Sequence, residues 1–175
     1  AEVAADILDR HDIPATFFIT TGAMGAENSF AWDTGLAERP RLMNWNQVRG
    51  LHAAGFCIGS HTVNHVRLSA VPPAVLEQEL TASRRRLEAE LGAPVLDFAY
   101  PFGGISDCGL EARQAVQRAG YRCCCSCHGG LVTARDSPYH LPRISVSPRY
   151  HATPRAWARA YARLRWQTSG ADAHW

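Results

Sequence analysis

Two histidines, His61 and His65, stand four residues apart in the segment HTVNH. Imidazoles at that spacing can share one divalent metal if the segment turns helically, since both side chains then point the same way. The spacing alone is not distinctive, because eight histidines occur in 175 residues. A capping turn with two surface histidines is the plainer alternative. Position adds weight: the pair directly follows the short apolar run FCIGS and is surrounded by the polar residues Ser60, Thr62 and Asn64. The metalloprotease helix is disfavoured, because it needs Glu directly after the first His and this chain has Thr62. A hydrolytic metal with two histidines needs a further ligand, normally a carboxylate, and keeps a position for water. Asp33, in FAWDTG, is the only acid flanked by aromatic residues in a long irregular stretch. Nothing in the spacing ties it to the histidines, and a loop cap is the simpler role.

Other groups that carry chemistry read more plainly. Six cysteines occur, at 57, 108, 123, 124, 125 and 127. Three in a row are a poor framework for separated disulfides, and no second cluster completes a thiolate metal site. In a strand, Cys123 and Cys125 would face one side and Cys124 the other, as small apolar residues. Arg84 to Arg86 read as the solvated face of a helix. Trp32 and Trp45 flank the long loop, where an indole can stack on a sugar ring; core packing serves Trp45 equally well.

The elements that must position these residues alternate. Val3, Ile7 and Leu8 share one face of an opening helix, and ATFFIT is a short buried strand. Residues 22–43 form a long loop. Asn44 with Gln47 caps a helix that Gly55 closes, and FCIGS is the next strand. A long helix runs from Pro72 to Leu91, with Leu76, Leu80, Leu87 and Leu91 on one stripe, a charged opposite face and Gly92 as its stop. VLDFAY is a strand, PFGG a turn, and a helix spans about Asp107 to Gly120. YRCCCS and LPRISV are strands. A last helix opens at Thr153 and Pro154, with Trp157, Tyr161 and Leu164 on one face. Helices alternating with short buried strands make an α/β protein with a parallel sheet, either an open doubly wound sheet or a barrel. In both, functional residues gather at the C-terminal ends of strands, where HTVNH and PFGG lie.

Composition bounds the remainder. Hydrophobic residues make up 46% and charged residues 19%, which suits one globular domain of this length. The net charge is +2, and all 18 basic residues are arginine. That balance gives no reason to expect a nucleic-acid partner. No apolar run approaches the roughly 18 residues of a membrane span. The first residues read as helix rather than as a secretory leader.

Taken together, IPATFFIT, GFCIGSHTVNHVRLS, FAYPFGG and LPRISV resemble the polysaccharide deacetylase family, the NodB-homology carbohydrate esterases. The resemblance spans most of the chain and implies a distorted (β/α) barrel over residues 1–167, with 168–175 as a disordered tail. It implies a divalent metal, commonly zinc, held by one aspartate and by the two histidines of H-[ST]-x-x-H, here His61 and His65. The implied reaction removes N-acetyl groups from a polysaccharide, most plausibly one containing N-acetylglucosamine. Removal of O-acetyl groups from a xylan-type polymer and a non-catalytic carbohydrate-binding role are the alternatives. An envelope or extracellular site in a bacterium fits the resemblance; no address is legible in the chain.

The family's T-F-D-D motif, on the first barrel strand, supplies both the third metal ligand and the catalytic base. No Asp-Asp pair occurs in this sequence. The expectation is a chain missing that first strand, with weakened metal affinity and little deacetylase activity on its own. The motif resembling R-x-P-[FY] falls on Ala99, Tyr100, Pro101 and Phe102, so its arginine is absent. The resemblance assigns the Phe102 backbone N–H to oxyanion stabilisation and places Tyr100 and Pro101 at the substrate, where Trp32 of the long loop is a further candidate by its indole. Arg143 is the candidate to replace the lost guanidinium, an ordinary ion pair being its alternative. His140 is the nearest candidate for the family's late histidine, which protonates the leaving amine. His128 and His151 are others, and a solvated loop histidine is the plain reading of each.

Overall fold

The run ATFFIT forms strand β1 (Thr16–Ile19), fed by helix α1 (Glu2–Arg10) through a turn in which Asp12 takes the left-handed conformation at φ 52°. Aspartate tolerates that region better than most residues. A computed structural model describes residues 2–35, 39, 41–146, 153, 155 and 156. Helix α2 (Trp45–Ala53) begins with the expected capping box. The Asn44 side chain accepts from the Gln47 N–H at 3.1 Å, and the Gln47 side chain accepts from the Asn44 N–H at 2.9 Å. Gly55, at φ 91°, then turns the chain into strand β2 (Cys57–Ser60). Helix α3 (Pro73–Leu91) ends at Gly92, whose φ of 64° only glycine adopts without cost. Strand β3 (Asp97–Ala99), helix α4 (Leu110–Arg118) and strand β4 (Cys123–Cys125) complete the alternation.

The four strands form one parallel sheet in the order β1-β2-β3-β4. The strands step in a single direction along it. The α/β class and the parallel sheet agree with the sequence reading. Helix α3 packs against α2, α4 and β2. LPRISV is not a strand: Leu141 alone bridges to Cys125, and Pro142 has no N–H with which to continue the ladder. The helical face of Trp157, Tyr161 and Leu164, along with His151 and residues 168–175, lies outside the described residues.

Helix α3 departs from its simple amphipathic reading. Leu76, Leu80 and Leu87 are buried as expected, but Glu79 and Ser83 are buried on the same stripe. Arg84 is not merely solvated either, since its guanidinium donates to the carbonyl of Ala119 at the end of α4. Trp45 packs against the core beneath the Arg86 guanidinium, 4.8 Å from its ring centre. In β4 the cysteines alternate as a strand requires, with Cys124 fully buried and its neighbours half-buried. All six thiols are free. Burial pushes Cys123 up to about 11 and Cys108 up to about 12, so both stay protonated and act as packing groups.

Gly59 lies opposite Phe18 in the β1–β2 register. A Cβ at position 59 would stand 2.5 Å from two Phe18 ring carbons and 3.1 Å from the Asp97 carbonyl oxygen. Gly59→Ala is expected to destabilise the fold by about 1–3 kcal/mol through overpacking. Urea unfolding should show this as a lower midpoint at unchanged slope.

Candidate metal centre

His61 follows the last residue of β2, and its position is set by the sheet. Its backbone N–H donates to Ile19 O at 2.9 Å, and its Nδ1 lies 2.6 Å from the carbonyl oxygen of Ala99, the last residue of β3. A carbonyl only accepts, so Nδ1 carries the proton and Nε2 keeps its lone pair. That is how ligating histidines are commonly oriented. Burial drives the His61 pKa down to about 4, against the opposing effect of the Ala99 bond and with help from His65 and Arg143. The ring is therefore neutral near pH 7, the form that binds metal. The His65 ring centre lies 4.7 Å away at 79° to it, and burial lowers its pKa as well.

The HTVNH segment does not turn helically. Thr62 and His65 sit at φ 67° and φ 56°, and Thr62 Oγ1 accepts the His65 N–H at 2.9 Å. Neighbouring elements hold the loop from both sides. On one side, the N–H groups of Thr21 and Gly22 donate to the carbonyls of Thr62 and Val63 at 3.1 and 2.8 Å. On the other, the Glu79 carboxylate accepts from the N–H groups of Val63 and Asn64 at 2.9 Å each, and from Asn64 Nδ2 at 2.6 Å. Glu79 escaped the sequence reading, although its place between Leu76 and Leu80 on the apolar stripe was the available signal.

Both imidazoles open into a cleft of about 400 Å³ walled by Phe18, Phe102, Cys127 and Arg143. Arg143 reaches it from the segment beside β4, where its Nε donates to Ser126 O at 2.8 Å and its Nη2 lies 3.1 Å from Cys127 Sγ. It is not held in a carboxylate ion pair among the described residues. Phe102 is 44% exposed at the rim, at φ 61°, with its ring centre 5.0 Å from that of His65. The Arg67 guanidinium covers the Phe102 ring at 4.4 Å and pairs with the buried carboxylate of Asp107. From the long loop, Phe30 stacks at a tilt on His65 at 5.6 Å, a contact that sequence spacing could not reveal. A cleft of about 480 Å³ between α1 and α2 holds Asp6 and Asp9 but no histidine.

Several expected residues lie elsewhere. Tyr100 has no exposed surface and its hydroxyl donates to Tyr139 O at 2.9 Å, while Pro101 is also fully buried. Tyr100 stands in the wall of the cleft, and Pro101 is not among the residues that line it. His140 does not line the cleft; its ring stacks on His128 at 4.4 Å, and burial followed by Arg113 and His128 depresses its pKa to about 4. The geometry gives the late-histidine role no support. Asp33 accepts from Asn28 Nδ2 at 2.8 Å, the local loop bond expected of a cap. The side chain of Trp32 lies outside the described residues. Among the described residues, no group of three His, Cys, Asp or Glu side chains is placed to hold a metal.

A family model for polysaccharide deacetylases matches residues 1–124. The chain belongs to the polysaccharide deacetylase family. This family member is 26% identical over 155 residues to the poly-beta-1,6-N-acetyl-D-glucosamine N-deacetylase of Staphylococcus aureus, across 83% of this chain and 50% of that protein. It thus spans about half the length of the curated relatives it matches. Among solved structures, it is similar to the Streptococcus pyogenes deacetylase PplD in complex with acetate, with a TM-score of 0.72 and 25% identity, across 90% of this chain and 63% of that one. IcaB from Ammonifex degensii shares the fold at a TM-score of 0.71 and 22% identity, across 91% of this chain and 65% of that one. No helix among the described residues of this deacetylase-family chain is long and apolar enough to cross a membrane.

The depressed pKa of His61 makes stability depend on pH. Between its ordinary value of 6.5 and about 4, the unfolded chain binds a proton at this residue that the folded chain excludes. Folding stability is therefore complete above 6.5 and falls as the pH drops towards 4. Urea unfolding at a series of pH values should show this slope, and His61→Gln should flatten it.

Proposed function

We propose that this chain supplies the histidine half of a divalent metal site, zinc being the best match, in an enzyme that removes N-acetyl groups from an N-acetylglucosamine polymer. The observation that carries this reading is the neutral, Nδ1-anchored His61 beside His65 at the head of a cleft. That donor set suits a borderline ion such as zinc. When bound, the metal polarises the acetamide carbonyl and lowers the pKa of a water ligand. The protein's own contribution is positional. His61 and His65 present two nitrogens from fixed backbone, Phe102 forms an apolar rim for a sugar and offers its backbone N–H towards the developing oxyanion, and Arg143 places a guanidinium where position 99 has none.

The third ligand and the catalytic base are assigned to an Asp-Asp pair on a strand that would add to the outer edge of β1. Among the described residues, β1 pairs only with β2. Such a strand would extend the sheet towards the barrel of the family. The absence of a three-ligand group among the described residues is the one observation favouring a carbohydrate-binding role without catalysis.

Metal analysis of the purified chain beside His61→Ala and His65→Ala tests the ligands: each variant should lose most of the bound metal, and equal content in all three removes the assignment. With β-1,6-linked N-acetylglucosamine oligomers and acetylated xylan as parallel substrates, acetate release from the first identifies N-deacetylation. In protein that releases acetate, Arg143→Ala should lower kcat about 100-fold or more at unchanged metal content. Full activity in that variant would reduce Arg143 to a support for the Ser126 carbonyl.

A further inference from the structure

Glu79 occupies a position where a leucine would be expected. It is only 5% exposed, on the face of α3 that also buries Leu76, Leu80 and Ser83. No arginine or histidine pairs with it among the described residues. Removing a carboxylate from water is costly unless its lone pairs are filled, and an apolar residue of similar volume usually serves packing better. Among the described residues, the hydrogen bonds to Glu79 come from one loop: the N–H groups of Val63 and Asn64 on Oε2, and the Asn64 amide on Oε1. The carboxylate is thus committed to the residues between the two histidines.

That loop needs holding. Thr62, a β-branched residue at φ 67°, and His65 at φ 56° occupy a region that is strained for non-glycine residues. Strain of that kind persists only where surroundings over-determine it. Gly22 closes the opposite side, where a Cβ would meet the Val63 carbonyl oxygen at 2.7 Å. Carbonyls of the loop are therefore fixed by Thr21 and Gly22, and its N–H groups by Glu79.

We infer that Glu79 is a positioning residue for the metal centre: it touches neither imidazole, but clamps the strained loop so that His61 and His65 hold their 4.7 Å separation before metal arrives. The inference rests on the metal reading above, and its test separates the two. Zinc affinity is measured by competition with a chromophoric chelator, using the full chain and zinc ion alone. Amide hydrogen exchange and thermal unfolding are followed on the same metal-free samples. Glu79→Gln should weaken zinc binding about 10–100-fold, the range typical of lost outer-shell support. It should also speed exchange at Val63 and Asn64 roughly tenfold while leaving β2 protected.

Asn64→Ala, at an exposed residue that cannot disturb the core, should produce a smaller change in the same direction. Glu77→Gln, which removes only the surface pair with Arg118, should leave zinc affinity and exchange at both amides unchanged. Zinc affinity within twofold of wild type in Glu79→Gln, with unaltered exchange at residues 63 and 64, overturns the inference. If the wild-type chain binds no zinc, the metal reading fails and the exchange data decide the clamp: faster exchange sustains it, unchanged exchange overturns it. If Glu79→Gln does not fold, Asn64→Ala decides by the same two measurements.

Discussion

The hydrogen bond from His61 Nδ1 to the Ala99 carbonyl is the contact on which the rest of the site depends. It is a consequence of strand register. Ser60, the last residue of β2, pairs with Phe98, so His61 leaves the sheet beside Ala99, the last residue of β3. A slip of one residue would turn every side chain of β2 to the opposite face and take the imidazole from the cleft. The hydrophobic pattern that buries Ile58 and Phe98 is thus also what fixes the tautomer of a ring beyond the strand end. Fold stability and site geometry share one constraint.

Around that fixed point, the backbone carries strain in a narrow region. Of the four described non-glycine residues at positive φ, three are Thr62, His65 and Phe102, which surround the cleft or its histidine loop. Elsewhere among the described residues, Asp12 alone joins them, and the other positive-φ positions are glycines. Concentration of this kind marks a place where the protein gives up local comfort for the orientation of particular groups. Here the groups are the second imidazole and the aromatic rim.

How much of this was legible in the sequence depends on the range of the interaction. The capping box of Asn44 and Gln47, the Gly92 stop and the four apolar strands rest on local chemistry, and all could be read directly. The placement of His61 beyond a strand end was legible for the same reason. What failed was decided by tertiary contact. The helical turn expected for HTVNH gave way to left-handed residues because Glu79, Thr21 and Gly22 take up its peptide groups from elsewhere in the chain. LPRISV has strand composition but only one bridging residue, a limit that Pro142 announces in retrospect. The resemblance gave Tyr100 a place at the substrate, whereas its hydroxyl is turned to a carbonyl 39 residues away, a contact that spacing does not reveal.

The anchor for His61 is main chain, not side chain, and this separates the orientation of the ring from the identity of residue 99. Any residue at 99 other than one that distorts the strand end presents the same carbonyl to the same imidazole, so the orientation of that ring is indifferent to what is written there. The replacement proposed above, of a guanidinium at position 99 by Arg143 from a segment 44 residues downstream, would leave the ring undisturbed. Main-chain anchoring makes the ring's orientation a property of the sheet, independent of the side chain at position 99.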